Sequence, residues 1–479
     1  MIVARRQTRH GQARRALSLT QSIRHFFVLR LATLRALAPG PAVYCAIDFG
    51  TSNSGIAIPT ANLPGGAVRL LEIEPGHPTM PTAVFYAVEG LAPHEAPRRL
   101  YGRAAIAAYV EGTEGRLMRS MKSILGSSLV DQRTDLGAGH SVSYREVLAG
   151  YLRQLKQQAE AHVGAAIEQA VLGRPVFFVD DDAERDAKAQ AALEAAARSV
   201  GFAEVHFQFE PIAAALDFEQ HATREQLVLV ADIGGGTSDF SLVRVGPERR
   251  TRVERRGDIL ANHGVHAAGT DFDRHIELAC ILPTCGHKSL GPAARAGHHR
   301  PREVPSRVYF DLATWHLINT VYIPQRVAEL ARMRDFYADA RLHERLMRVV
   351  TQRLGHALAA LAEQAKIDVA DGGSTRLALD AIEAGLEVTL TQSQAIDAID
   401  NDLARVVAAA RETLRQAGST HDAVDALYLT GGSTGLSPLA QRLAAVCPGA
   451  QVVRGDRFAS VAQGLGLHAQ RLFARVQSG

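Results

Sequence analysis

Two glycine-rich turns of like construction constrain this chain more than any other feature. The first is D-F-G-T-S-N-S-G at 48–55, and the second is D-I-G-G-G-T-S-D at 232–239. Each follows an apolar, β-branched run (42–47 and 227–231) and leads into another (56–58 and 240–245). Each therefore predicts a strand–turn–strand hairpin whose tip carries an Asp, glycines and hydroxyls. Glycine lets backbone N–H groups approach an anion closely, and the hydroxyls add donors. An Asp at a strand end can hold a magnesium ion, directly or through water. Two such hairpins can grip one polyphosphate from both sides.

Composition narrows the class. At 479 residues there is room for two or more domains with large cores. A net charge of +3 is too small to argue for a nucleic-acid partner. Cys45, Cys280, Cys285 and Cys447 are too few and too scattered for a disulfide framework, which points to a reducing, cytoplasmic setting. No uncharged run reaches the roughly 18 residues of a membrane span. Residues 1–40 differ from the rest, with eight Arg and no Asp, Glu or Lys. The stretch 23–37 has helical periodicity with Arg interleaved, as a transit peptide or membrane-surface helix would. Arg30 and Arg35 break its apolar run, which rules out a secretory signal. We expect a poorly ordered extension that the fold does not need.

The body alternates strand and helix. A helix is predicted over 145–163 from Val147, Leu148, Leu152 and Leu155, and a buried strand over 170–179. Acids at 180–182 can cap a helix running to about 200, which Gly201 stops. A strand follows at 204–209, and Pro211 opens a helix over 212–219. This is βαβ organisation and predicts an α/β fold. The theme restarts at 227, so two similar halves are expected with the active site between them.

Further positions carry chemistry. Glu210, in F-E-P-I-A-A-A, sits at a strand end where ligands bind in α/β sheets, although a helix-start acid favoured by the dipole reads the same way. Lys122 is one of only five lysines; taken alone it reads as a surface charge. Gly269-Thr270-Asp271-Phe272-Asp273 is a glycine turn with acids, read as a loop or helix cap. L-T-G-G-S-T-G at 429–435 lies between a strand and a helix and suits close approach of a nucleoside or phosphate. There is no G-x-x-x-x-G-K-[ST], and the second turn enters a strand rather than a helix, so neither a P-loop nor a dinucleotide fingerprint fits. Cys280, Cys285 and His287, with His263 or His298 as a fourth ligand, are too loosely spaced for structural zinc; a buried Cys and a loop are the preferred reading.

In this order the motifs D-x-G-T-x-N, Lys, E-P-x-A-A-A, D-x-G-G-G-T-x-D, G-x-D-F-D and G-G-S resemble the actin-like ATPases, and within them the seventy-kilodalton heat-shock chaperones. The resemblance covers about 43–473. It implies ATP or ADP with magnesium as cofactors. Asp48, Glu210 and Asp232 would position the metal, mostly through water. Gly50, Thr51, Ser52, Asn53, Gly234, Gly235, Gly236 and Thr237 would hold phosphates. Lys122 would orient the attacking water, with Thr237 and Asp239 assisting. Gly269, Glu363, Lys366, Gly431, Gly432, Ser433 and Asp456 would complete the nucleotide site. The adenosine pocket departs from the family, because the arginine that stacks on the base is Ile367 here and the arginine after G-G-S-T is Gly435. The chain stops at Gly479, soon after the last family motif at 460–467. It is thus similar to a short bacterial branch with the ATPase domain alone, and no peptide-binding domain is expected. The segment 307–321, with the only Trp, also resembles that branch.

The reading is a two-lobed actin-like fold of duplicated ribonuclease-H-like domains. Lobe I would span 41–225 and lobe II 226–473, with an inserted subdomain at about 273–395 and a tail at 474–479. The expected function is ATP binding with slow hydrolysis, coupled to lobe opening and to an unidentified protein partner or client. Two alternatives are a non-hydrolysing, nucleotide-switched module and a small-metabolite kinase. A kinase would need a catalytic Asp aimed at a substrate hydroxyl, and none is identified. The partner is expected near Trp315 or the cleft mouth, without ATP-sensitive binding of short unfolded peptides.

Overall fold

A computed structural model describes residues 44–60, 68–92, 95–179, 182–292, 302–456 and 459–473. The expected extension at 1–40, the tail at 474–479 and His298 lie outside the described residues. Two sheets of matching topology organise the chain. In the first the order is Glu204–Phe209, Gln169–Arg174, Tyr44–Phe49, Asn53–Pro59, Val68–Leu70, with Thr79–Pro81 also pairing Asn53–Pro59. In the second it is Gln451–Arg454, Ala426–Thr430, Gln226–Ile233, Ser238–Val245, Ile259–Val265. In both, the central strand runs antiparallel to its hairpin partner and parallel to the crossover strand. The chain is therefore an internal duplication with the actin-like fold.

The central strands read as unbroken apolar runs because they are covered on both faces. Ala426–Thr430 is buried at every position. Two helices, Glu210–His221 and Ser460–Phe473, supply the cover between the sheets. Their Ile212–Leu216 and Val461, Leu465 and Ala469 side chains share one core with Ala46 and Val171 of the first sheet and Val228, Val230 and Tyr428 of the second. Small residues let the helices cross closely: a Cβ on Gly464 would lie 1.9 Å from the Ala213 carbonyl oxygen. The far face of the second sheet carries a larger core, in which Leu229, Phe240 and Leu242 pack against helices including Gly355–Asp368 and Gln392–Gln416.

Local chemistry explains most boundaries. The helix Tyr144–Val163 starts at a capping box, Ser143 with Glu146, and ends at Gly164 with φ +75°. Asp182 caps Ala183–Ser199 by accepting from the Arg185 N–H. The strand predicted over 170–179 ends early, at Arg174, because Pro175 has no N–H to extend the ladder. Gly269–Ile276 is a helix. A small sheet of Arg98–Tyr101, Ala83–Ala87 and Gly115–Arg119, packed under helix Gly102–Val110, is inserted into the first half. Ser374–Ala378 and Glu387–Thr391 pair as an antiparallel hairpin. Among the described residues, no helix is long and apolar enough to cross a membrane.

Candidate functional site

The sheet pairing brings the two glycine turns to one cleft. Asp48 lies one residue from the end of the first central strand, opposite Gly55, and Asp232 one residue from the end of the second, opposite Asp239. The turns face each other closely: a Cβ on Gly235 would lie 2.8 Å from Ser52 Oγ. The first turn is braced by Thr82, whose hydroxyl donates to the Gly50 carbonyl (2.8 Å) and pairs with Ser54 Oγ (2.8 Å). The second is braced by its neighbours. Gly269 N–H and Ser433 Oγ donate to the Gly234 carbonyl (3.2 and 2.9 Å), and Thr270 N–H donates to the Gly235 carbonyl (2.8 Å). This ties Gly269, Thr270 and Ser433 to the second turn, and Gly431 lies against Ile233 and Asp232.

Glu210 begins the helix that leaves the first sheet, with Pro211 in its first turn. Its carboxylate accepts from Lys122 Nζ, and both side chains are largely buried. Lys122 stands in a 3₁₀ turn, Met121–Ile124, just after strand Gly115–Arg119. Burial, the Glu210 charge and the Asp232 charge push the Asp48 carboxyl well above its usual range. Burial, Asp239 and Glu210 do the same for Asp232. Burial works to lower the Lys122 ammonium, but Glu210, Asp48 and Asp239 outweigh it and the pKa is raised. Thr237 Oγ1 donates to Asp239 (2.8 Å). Carboxylates thus gather around a lysine, with a surplus of negative charge that suits a divalent cation.

The fit to magnesium is indirect. Among the described residues, no three carboxylate, His or Cys side chains converge as a direct metal cage. Magnesium holds its waters and is commonly bound through one or two carboxylates plus phosphates. Asp48, Glu210 and Asp232, set apart around Lys122 beside the two glycine turns, match that donor set.

Lys366 joins this group from helix Gly355–Asp368. It pairs with Asp273 (2.6 Å) and reaches the Gly269 carbonyl (3.4 Å). Asp273, quoted in the G-T-D-F-D motif but not assigned a role, has its carboxyl raised to about 6 by burial against that lysine's attraction. Glu363, one turn earlier, faces Arg119 and Asp273 electrostatically. Ile367 is exposed. Asp456 follows the last strand of the second sheet and lines a cavity of about 350 Å³ with Phe218, His221 and Tyr428. Thr82 and Arg119 carried no sequence signal: a lone Thr and a lone Arg acquire meaning only from what the fold puts beside them.

A family model described as Hsp70 protein matches residues 44–280. The chain belongs to the Hsp70 family. Hsp70 proteins in general bind ATP, hydrolyse it with magnesium and act as chaperones. The match spans both glycine turns, Lys122, Glu210 and Gly269. The duplication runs on past it, since Ala426–Thr430 and Gln451–Arg454 complete the second Hsp70 sheet.

Proposed function

We propose that this protein binds magnesium-ATP between the two glycine turns, hydrolyses it slowly, and couples nucleotide state to opening of two lobes and to a protein partner. The observation that carries the reading is the charge cluster of Asp48, Glu210, Asp232 and Asp239 around Lys122, set beside two glycine turns that face each other. Phosphoryl transfer asks a protein mainly for positioning and charge neutralisation. Gly50–Asn53 and Gly234–Thr237 would hold the phosphates. Asp48, Glu210 and Asp232 would hold magnesium through water, and the metal would neutralise charge on the phosphate oxygens. Lys122, held by Glu210, would orient and polarise the attacking water. Asp239 would set the Thr237 hydroxyl.

Lobe I would span 41–225 and lobe II 226–473, each built around one of the two sheets. The inserted subdomain at about 273–395 includes the helix that bears Glu363 and Lys366. The intact Lys122 and Asp232 favour turnover over a nucleotide switch that never hydrolyses. The test is phosphate release from ATP by the purified protein without added substrate, with and without magnesium. Turnover that needs magnesium and falls in Lys122→Ala supports the reading. Tight ATP binding with no turnover would leave the switch, and turnover only with a phosphate-accepting metabolite would leave the kinase.

A further inference from the structure

Arg119, Tyr109, Trp315 and His356 form one cluster across the two halves. Arg119 Cζ lies 4.3 Å from the centroid of the Trp315 ring. Tyr109 stacks on that indole at 5.0 Å and 27°. His356 meets both rings edge-on, each at 5.0 Å. Tyr109 and Arg119 belong to the first half, to helix Gly102–Val110 and to the end of strand Gly115–Arg119. Trp315 lies between the short helices Arg307–Ala313 and Ile318–Val321, and His356 opens helix Gly355–Asp368. That helix carries Lys366, which touches the second glycine turn's brace at Gly269.

We propose that Arg119 is a positioning residue for Lys122, and that its seat on Trp315 makes the placement of the lysine depend on closure of the two halves. This rests on the hydrolytic reading given above. Only Ser120 and Met121 separate Arg119 from Lys122. Ser120 is held in the left-handed region at φ 53°, Met121 is buried, and the turn closes with Leu125 N–H on the Lys122 carbonyl. So short and anchored a link passes a shift of Arg119 to Lys122 rather than absorbing it. The cluster's imidazole adds no positive charge beside the guanidinium. Burial and the nearby Arg119 push the His356 imidazole down to about 4, so it stays neutral, and its Nε2 pairs with Asn319 Oδ1 (3.2 Å). A guanidinium over an indole is an attraction that depends on ring and charge together. The chain of contacts runs from Trp315 to Arg119, along the turn to Lys122, and on to Glu210.

The test is single-turnover hydrolysis of pre-bound magnesium-ATP in Trp315→Ala, Trp315→Phe and Arg119→Met, each also combined with Lys122→Ala. Misplacing a reacting group by about 1 Å can cost on the order of a hundredfold, so Trp315→Ala and Arg119→Met are expected to slow the step by roughly tenfold or more. The ATP dissociation constant should stay within about threefold. Trp315→Phe, which keeps an aromatic face, should retain most of the rate. With Lys122 already removed, Trp315→Ala should add little, because both act through one group. Trp315 is the only Trp, so its fluorescence should also change when wild-type protein binds magnesium-ATP. Full additivity, a rate and an affinity that fall together, or an unresponsive fluorescence would each overturn the proposal. A wild-type rate that depends on Lys122 but ignores Trp315 sinks this inference alone. A wild-type protein without turnover sinks the hydrolytic reading, and this inference with it.

Discussion

Replacing Lys122 with Ala removes the ammonium that faces Asp48, Glu210, Asp232 and Asp239. Two effects follow, and they differ in kind. In the transition state, charge builds on the transferring phosphoryl group and its oxygens, and a fixed donor there is worth about 3–4 kcal/mol, or 10²–10³ in rate. In the ground state, the phosphates would still meet the glycine turns and the metal, so affinity should move by no more than about threefold. Without nucleotide, Glu210 loses its buried partner. Breaking a fully buried pair costs about 3–5 kcal/mol, but this pair borders an open cleft and the neighbouring carboxyls already favour protonation. The loss of stability should therefore fall at or below the lower end of that range. Rapid mixing with pre-bound ATP measures the chemical step, calorimetry measures the dissociation constant, and a denaturant titration measures stability. A rate within threefold of wild type refutes the role of Lys122. An affinity that falls as far as the rate would make the lysine a ground-state phosphate contact instead.

Asp232→Ala should weaken ATP binding tenfold or more in magnesium and leave metal-free binding nearly unchanged, because an oxygen donor is lost from the ion's surroundings; calorimetry with and without magnesium checks this. Gly431→Ala should destabilise the fold and weaken ATP binding together, read as a lower Tm and a higher dissociation constant. Gly431 sits at φ +84°, and a Cβ there would fall 2.4 Å from the Ile233 carbonyl and 2.7 Å from Asp232 Oδ1, adding a displaced carboxylate to roughly 1–2 kcal/mol of backbone strain. His468 gives a pH dependence. It is buried, accepts from Gln208 at Nδ1 (3.0 Å), and is pushed down to about 4 by burial and by Arg471, Arg255 and His206. Its folded pKa is thus below the unfolded value of about 6.5, so stability is full above pH 6.5 and falls towards pH 4, by up to roughly 3 kcal/mol. Denaturant midpoints at pH 7 and 4.5 should converge in His468→Gln; an unchanged pH slope in that variant would show that another group titrates.

The two hairpins were legible because each depends on chemistry packed into eight consecutive residues: an Asp, glycines and hydroxyls between apolar runs. Glu210 and the helix after it were legible for the same reason, since Pro211 marks the first turn. What failed to show was of two kinds. Gly269–Asp273 reads as a loop or a helix cap because its glycine and acids dominate a short stretch, and the fold decides for a helix, Gly269–Ile276, by burying Phe272 and Ile276 one turn apart. The cluster of Tyr109, Arg119, Trp315 and His356 gathers residues about two hundred positions apart. No local pattern announces such a contact. Asp273 lay inside a quoted motif, yet its partner Lys366 lies 93 positions on, and only the pairing gives it a role.

The helix Glu210–His221 shows how the two kinds of information meet. Its buried face is Ile212, Ala213, Ala214, Ala215 and Leu216, and a stripe so rich in alanine offers little shape to fix its rotation or slide against the sheets. At its far end Glu219 is fully buried and accepts from both terminal nitrogens of Arg255 (3.1 and 2.8 Å), which also bonds Asp258. Arg471, from the other crossing helix, lies 3.8 Å from the same carboxylate. Buried ion pairs contribute little net stability, because desolvation offsets attraction. They do penalise any register in which a charge loses its partner. An alanine helix pinned at Glu219 has one favourable setting, and that setting fixes Glu210, nine residues earlier, beside Lys122. The small residues that let the helices cross closely and the charges that hold their register therefore serve one end, the placement of a carboxylate at the cleft.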